Sequence, residues 1–204
     1  MSVNSLQKKS QNGIQIFRQF FWKFFRRFFR LITVSAILLA ALSVPAGSGA
    51  GAKDKVGRLP KDSVASNQLR MLDGRSFSLS DLRGQVVVLD FFAIWCGHSK
   101  QHIPTMTRFN NEDNKRGLQI IGLAVKDGDS TPDRVSKFVR DHGINYPVGM
   151  VRDPEFVSYV DSSDVSVPQT LVYARDGRLV AHFRGHDDNI ASELTSVIRR
   201  ELEK

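Results

Sequence analysis

The chain is 204 residues long and carries 29 Lys and Arg against 21 Asp and Glu, a formal net charge of +8, with a single cysteine. Lys8, Lys9, Arg18, Lys23, Arg26, Arg27 and Arg30 fall in residues 1–52, which hold no acid, so residues 53–204 are nearly neutral with 22 basic and 21 acidic side chains. A nucleic-acid-binding domain concentrates positive charge on its folded body, which argues against nucleic acid as a partner, and one cysteine excludes any disulfide within the chain.

The first segment, residues 1–52, reads as a basic amphipathic leader ending in a signal peptide or signal anchor. Phe17, Phe20, Phe21, Phe24, Phe25 and Phe28 recur at helical spacing. Lys23, Arg26, Arg27 and Arg30 lie largely off that stripe, a pattern suited to an anionic membrane surface. Residues 31–44 then run without a charge, interrupted by Thr33, Ser35 and Ser43. That is short of the roughly 20 residues of a full span but fits a signal core. Pro45 ends the run, and small residues from Ala46 to Ala52 offer cleavage sites. Membrane contact is expected through residues 14–44, as a retained anchor in preference to a cleaved signal. Positive charge ahead of the apolar run directs residues 53–204 out of the cytoplasm, to the periplasmic side of a bacterial-type membrane.

Residues 53–66 are polar and mixed, as in a linker, and residues 67–204 carry the folded domain. Val86–Phe92 and Leu118–Val125 are nearly continuous apolar runs, the signature of strands buried on both faces. Residues 100–114 read as a helix between them. Thr131 is placed as an N-cap with Pro132 at the first helical position, and Val135, Phe138 and Val139 follow on one face. Gln169–Tyr173 and residues 179–183 flank Asp176-Gly177, a hairpin turn signal. Ile190, Leu194, Val197, Ile198 and Leu202 form the stripe of a closing helix. The order β-β-α-β-α-β-β-α predicts an α/β domain, a mixed central sheet with helices on both faces.

The chemistry concentrates where Val86–Phe92 gives way to the following helix. The sequence there is Ala93-Ile94-Trp95-Cys96-Gly97-His98-Ser99. Cys96 is expected at the helix N-terminus, where unpaired N–H groups and the macrodipole favour an anion, and a thiolate is the reactive form of cysteine. Asp90 lies in the apolar strand, where an unpaired carboxylate would be held neutral and able to exchange a proton with Cys96. His98, when charged, would stabilise a thiolate. His102 is read as structural or solvated, since six residues is a poor helical spacing for facing Cys96. His142, His182 and His186 carry no legible signal. The spacing of Cys96, His98 and His102 fits no common metal-ligand pattern, so neither metal nor cofactor is expected.

Three stretches, LDGRSFSLSDLRGQVVVLDFFAIWC, GLQIIGLAV and VSVPQTLVYARDGRLVAHFRG, resemble the TlpA/ResA branch of membrane-tethered thioredoxin-like thiol–disulfide proteins. The resemblance implies a thioredoxin-like fold with an N-terminal hairpin. It makes Cys96 the attacking cysteine and Pro168 the cis-proline facing it, with Val167 offering backbone hydrogen bonds to an extended substrate. Asp90 matches the buried acid of thioredoxin, and Cys96-Gly97-His98 the site of protein disulfide isomerase. The departures are Ser99 where the family has its second cysteine and His102 where it often has Glu. A dithiol cycle within one molecule is therefore impossible, and a mixed disulfide must be resolved from outside. The expected function is monothiol thiol–disulfide exchange on thiol- or disulfide-bearing proteins, with an external thiol reductant. The alternatives are a non-catalytic thioredoxin-fold binding module and, more weakly, a one-cysteine peroxidase.

Overall fold

A computed structural model of the chain describes residues 56–204, apart from Asp129 and Asp161. The leader, the membrane contact through residues 14–44 and any cleavage site lie outside the described residues. Among the described residues, no helix is long and apolar enough to cross a membrane.

In chain order the elements are α1 (Asp62–Ala65), β1 (Leu69–Arg70), β2 (Ser76–Phe77), β3 (Val86–Phe92), α2 (Gly97–Asp113), β4 (Leu118–Val125), α3 (Pro132–Asp141), β5 (Val148–Val151), α4 (Asp153–Val160), β6 (Gln169–Tyr173), β7 (Leu179–Arg184) and α5 (Asp188–Leu202). β1 and β2 form the N-terminal hairpin, and the other strands form one sheet in the order β5-β4-β3-β6-β7. β3 runs parallel to β4 and antiparallel to β6. The mixed sheet predicted from sequence is therefore present, in a thioredoxin-like fold.

Strand periodicity divides the core. Val86, Val88 and Phe92 point to one face, where they pack with Ile103, Met106 and Phe109 of α2 and Leu194, Ile198 and Leu202 of α5. Val87, Leu89 and Phe91 point to the other, against Phe156, Tyr159 and Val160 of α4. All seven residues of β3 are buried, because both neighbouring strands and both helical layers cover it. Capping at α3 follows the sequence: the Thr131 side chain accepts a hydrogen bond from the Arg134 N–H, with Pro132 at the first turn. α2 begins at Gly97, three residues before the predicted start, and ends in a short 3₁₀ turn over Asn114–Arg116.

Two features differ from the sequence reading. β5 and α4 were not anticipated; a four-residue strand after Pro147 and an eight-residue helix are too short to show a period of their own. Residues 57–66 are largely exposed but tied to the domain at both ends of the segment, where a linker over 53–66 was expected. The N–H of Gly57 donates to the Leu179 carbonyl at 2.6 Å, the N–H of Leu179 donates to the Arg58 carbonyl at 3.0 Å, and Val64 is buried in the core.

The hairpin is fastened to β5 by a bridge between Met71 and Gly149. A Cβ at Gly149 would stand 2.6 Å from the Arg70 carbonyl oxygen, a backbone atom that cannot turn aside. Gly149→Ala is therefore expected to destabilise the domain by about 1–3 kcal/mol, the usual range for overpacking. The urea midpoint should fall at constant slope; an unchanged midpoint would mean the hairpin is not held there.

Candidate active site

Cys96 caps α2 in an extended conformation, with φ −79° and ψ 121°, and supplies no side-chain cap hydrogen bond. Its backbone N–H donates to the Ala93 carbonyl at 3.1 Å, closing the turn that joins β3 to the helix. The thiol points across the sheet end and donates to the Val167 carbonyl at 3.3 Å. The Val167–Pro168 peptide bond is cis. Three predicted residues, Cys96, Val167 and Pro168, thus meet at one point although some 70 residues separate them in the chain. Cys96 is nonetheless only 9% exposed.

The loop that carries Val167 is organised by a residue the sequence did not single out. The side-chain amide of Gln169 is buried and donates to the carbonyls of Asp164 at 2.9 Å and Ser166 at 2.8 Å. On the other flank, Trp95 is 64% exposed, and its indole N–H donates to the Asp127 carboxylate. That carboxylate also accepts from the Ser130 N–H at 2.7 Å, so the ring is tied to the loop before α3.

Within the Cys96-Gly97-His98-Ser99 turn the side chains part company. Gly97 and His98 are exposed, and a Cβ at Gly97 would meet no atom within 4 Å. Ser99 is buried and accepts a hydrogen bond from the Ala93 N–H at 3.4 Å. The serine is therefore a structural tie between the helix and the end of β3.

Beneath the turn lies a polar cluster that sequence reading found only in part. Asp90 shares a sheet face with Val88 and Phe92, and it pairs in register with Thr170 of β6. α2 lies over that face with Ser99, His102, Ile103, Met106 and Phe109 buried. His102 sits in this stripe, three residues after Ser99 and four before Met106, which is the helical spacing that would have revealed its burial. It is not solvated: it is 1% exposed. Its Nε2 lies 3.1 Å from the Thr170 hydroxyl and 3.6 Å from Asp90 Oδ1, and its Nδ1 lies 3.0 Å from Nδ1 of His186. His186 follows β7 and is half-buried. Among the described residues, Oδ1 of Asp90 has no hydrogen-bond partner, and no group of three or more His, Cys, Asp and Glu is arranged to hold a metal ion.

Burial shifts the two inner groups towards their neutral forms. Desolvation raises Asp90 from 3.8 to about 7, opposed by the nearby His186 and the Thr170 hydroxyl. Desolvation lowers His102 from 6.5 to about 4. His186 is also lowered, by desolvation and then by His102, while Asp187 and Asp188 pull it back up.

These shifts have opposite consequences for stability. Folded Asp90 keeps a proton that the unfolded chain releases near 3.8, so its contribution falls as pH rises from about 4 to about 7. Folded His102 stays neutral where the unfolded chain binds a proton, so its contribution is lost as pH falls from 6.5 towards about 4. Asp90→Asn removes the first effect alone. Its stability relative to wild type should grow between pH about 4 and about 8, by on the order of 4 kcal/mol for the full shift. Denaturant titrations of both proteins along that range test it; a difference independent of pH would mean the carboxyl is not raised.

A family model described as "AhpC/TSA family" matches residues 60–182. The chain is similar to the thiol-disulfide oxidoreductase ResA of Bacillus thuringiensis subsp. konkukian, at 25% identity over 114 residues, 56% of this chain and 63% of the relative. It thus spans less than two thirds of that relative's length. ResA of Halalkalibacterium halodurans is 24% identical over 172 residues, 83% of this chain and 94% of the relative. Among solved structures, a thiol:disulfide interchange protein of the thioredoxin family from Chlorobium tepidum TLS superposes with a TM-score of 0.60. It is 24% identical, with 71% of this chain and 97% of that one covered.

Proposed function

We propose that this chain, which belongs to the AhpC/TSA family, carries out thiol–disulfide exchange outside the cytoplasm, with Cys96 as its one reacting thiol. The observation that carries the reading is the meeting of Cys96 Sγ with the Val167 carbonyl beside cis-Pro168. An extended substrate strand laid along Val167 would bring its disulfide against that sulfur. Trp95 stands exposed on the opposite flank as an apolar contact for the substrate.

The exchange balances without any other redox group. Cys96 loses its proton and attacks one sulfur of a disulfide. The new S–S bond forms as the old one breaks, and the second sulfur leaves with the electron pair as a thiolate. The mixed disulfide on Cys96 is then attacked by an external thiolate, and Cys96 leaves, to be reprotonated. No net oxidation is needed, so disulfide isomerisation suits this site as well as reduction driven by an external thiol. Asp90 would take and return the proton, a role supported by burial that brings its titration close to neutrality. His98, exposed on the first turn of α2, would favour the anionic sulfur whenever it is charged. The export of the domain and its attachment through residues 14–44 are part of the same proposal and rest on the charge pattern of the leader.

One observation favours the alternative of a binding module: the thiol is almost covered, and its hydrogen is engaged by Val167. Oxidised glutathione separates the two. Exchange predicts that wild-type protein accumulates a glutathione adduct on Cys96 when external thiol is scarce, seen by mass and on non-reducing gels, and that Cys96→Ala forms none. A serine hydroxyl cannot resolve that adduct, whereas a thiol at the next helical turn can, at high effective concentration. Ser99→Cys should therefore replace the adduct with an internal disulfide. Wild-type protein that takes up no glutathione would make the domain a binding module, and sulfenic acid formed on Cys96 by peroxide alone would favour the peroxidase.

A further inference from the structure

We propose that His102, Thr170 and His186 form a proton relay that connects the buried carboxyl of Asp90 to solvent at the edge of β7. The proposal deepens the exchange reading, since it supplies the route by which Asp90 would be recharged after serving Cys96.

The argument begins with isolation. Asp90 is 1% exposed on a strand covered by sheet and helix, so protons cannot reach it through bulk water. Polar side chains nevertheless lead from it towards the surface. Asp90 pairs in register with Thr170 on the adjacent strand, and its Oδ1 lies 3.6 Å from Nε2 of His102. The Thr170 hydroxyl lies 3.1 Å from Nε2 of His102, and Nδ1 of His102 lies 3.0 Å from Nδ1 of His186. His186 is the half-buried end of the line. Two imidazoles whose Nδ1 atoms face each other at that distance must share one hydrogen: one ring donates and the other accepts.

The line has two states in which every link is satisfied. With Asp90 ionised, Thr170 donates to the carboxylate, His102 Nε2–H donates to Thr170, and His186 Nδ1–H donates to His102 Nδ1. A proton arriving on His186 Nε2 then drives three transfers. His186 Nδ1–H passes to His102, the His102 Nε2 proton passes to Thr170, and the Thr170 proton passes to Asp90. At the end Asp90 donates to Thr170, Thr170 donates to His102 Nε2, and His102 Nδ1–H donates to His186 Nδ1. One proton has entered, each ring is neutral before and after, and each hydrogen bond has reversed. The depressed titration of His102 agrees with a ring that changes tautomer without becoming a resident cation.

The other ionisable groups around the line do not interrupt it. Tyr146 is the further titratable group facing Asp90, and burial together with that carboxylate holds its phenol neutral. At the outer end His186 faces Asp187 and Asp188 at the start of α5, which favour its protonation, and His98 on α2, which opposes it.

The relay makes a spectroscopic prediction for the wild-type protein. Nitrogen-15 NMR of the imidazoles should show His102 protonated at Nδ1 when Asp90 is neutral and at Nε2 when it is ionised. The exchange of tautomer should fall at the Asp90 midpoint, near pH about 7. Thr170→Val, which keeps shape but removes the linking hydroxyl, should leave His102 in one tautomer across the same titration, as should Asp90→Asn. A His102 that holds one tautomer through the wild-type titration, or that becomes an imidazolium within it, would overturn the relay. At the solvent end, His186→Ala should slow thiol-driven release of the Cys96 adduct by about tenfold or more, and free imidazole should restore it. Release at the wild-type rate in that variant would equally overturn the proposal. A tautomer exchange observed in a protein that takes up no glutathione would sink the exchange reading while leaving the relay in place.

Discussion

β3 is buried on both faces and bonded on both edges, and that confinement sets the geometry of everything at its C-terminal end. Because the strand cannot shift, the turn after Phe92 delivers Cys96 to one place above the sheet. Because β6 is antiparallel to β3 in fixed register, residues 167–168 arrive at the same place from the other direction. The Cys96–Val167 contact is thus a consequence of sheet register rather than of local sequence. Ser99, bonded to the Ala93 N–H, and Gln169, bonded inside the preceding loop, remove the remaining freedom on each side.

The same confinement creates the electrostatic character of the site. A carboxyl at Asp90 alternates onto the face that α2 covers, so it loses water on folding and gains a hydroxyl and an imidazole in return. Two ionisable groups about 3.6 Å apart would normally form a charged pair. Here desolvation acts on both, and it is the first cause of each shift. Near neutrality the pair is better described as a carboxyl close to its midpoint beside an uncharged ring. Such a pair exchanges protons readily, whereas a fixed ion pair would hold them.

How much of this was legible in the sequence follows from the range of the interactions involved. β3, β4, α3, the β6–β7 hairpin and α5 declare themselves through local periodicity or turn chemistry, and the structure places them accordingly. β5 and α4 do not, because their pattern is too brief to outweigh chance. Cys96, Trp95 and Asp90 were visible as chemically conspicuous residues near a strand end. Val167 and Pro168 came from family resemblance, since nothing local marks a residue that acts from across the sheet. Of the two readings open for His102, structural or solvated, its burial selects the first, and its place in the buried stripe would have decided between them from sequence. Thr170 and His186 were beyond reach, as only strand register and the path of the chain after β7 bring them together.

The missing second sulfur gives the cluster a particular significance on the proposed reading. In a dithiol site the resolving thiolate is generated next to the first sulfur, so protons can circulate within the pair. With Ser99 held as a tie to β3, Cys96 must surrender a proton before attack and recover one after release, while its partner thiols come and go from outside. A proton store on the protein would then serve both steps. A buried acid that titrates near neutrality can hold one proton between encounters, provided it has a route by which to exchange it. The line through Thr170 and His102 leaves Asp90 on the helix-covered face of the sheet and emerges at His186, after β7. Sulfur chemistry and proton recharge would then reach the same strand through different groups, the first through Cys96 and the second through Thr170 and His102.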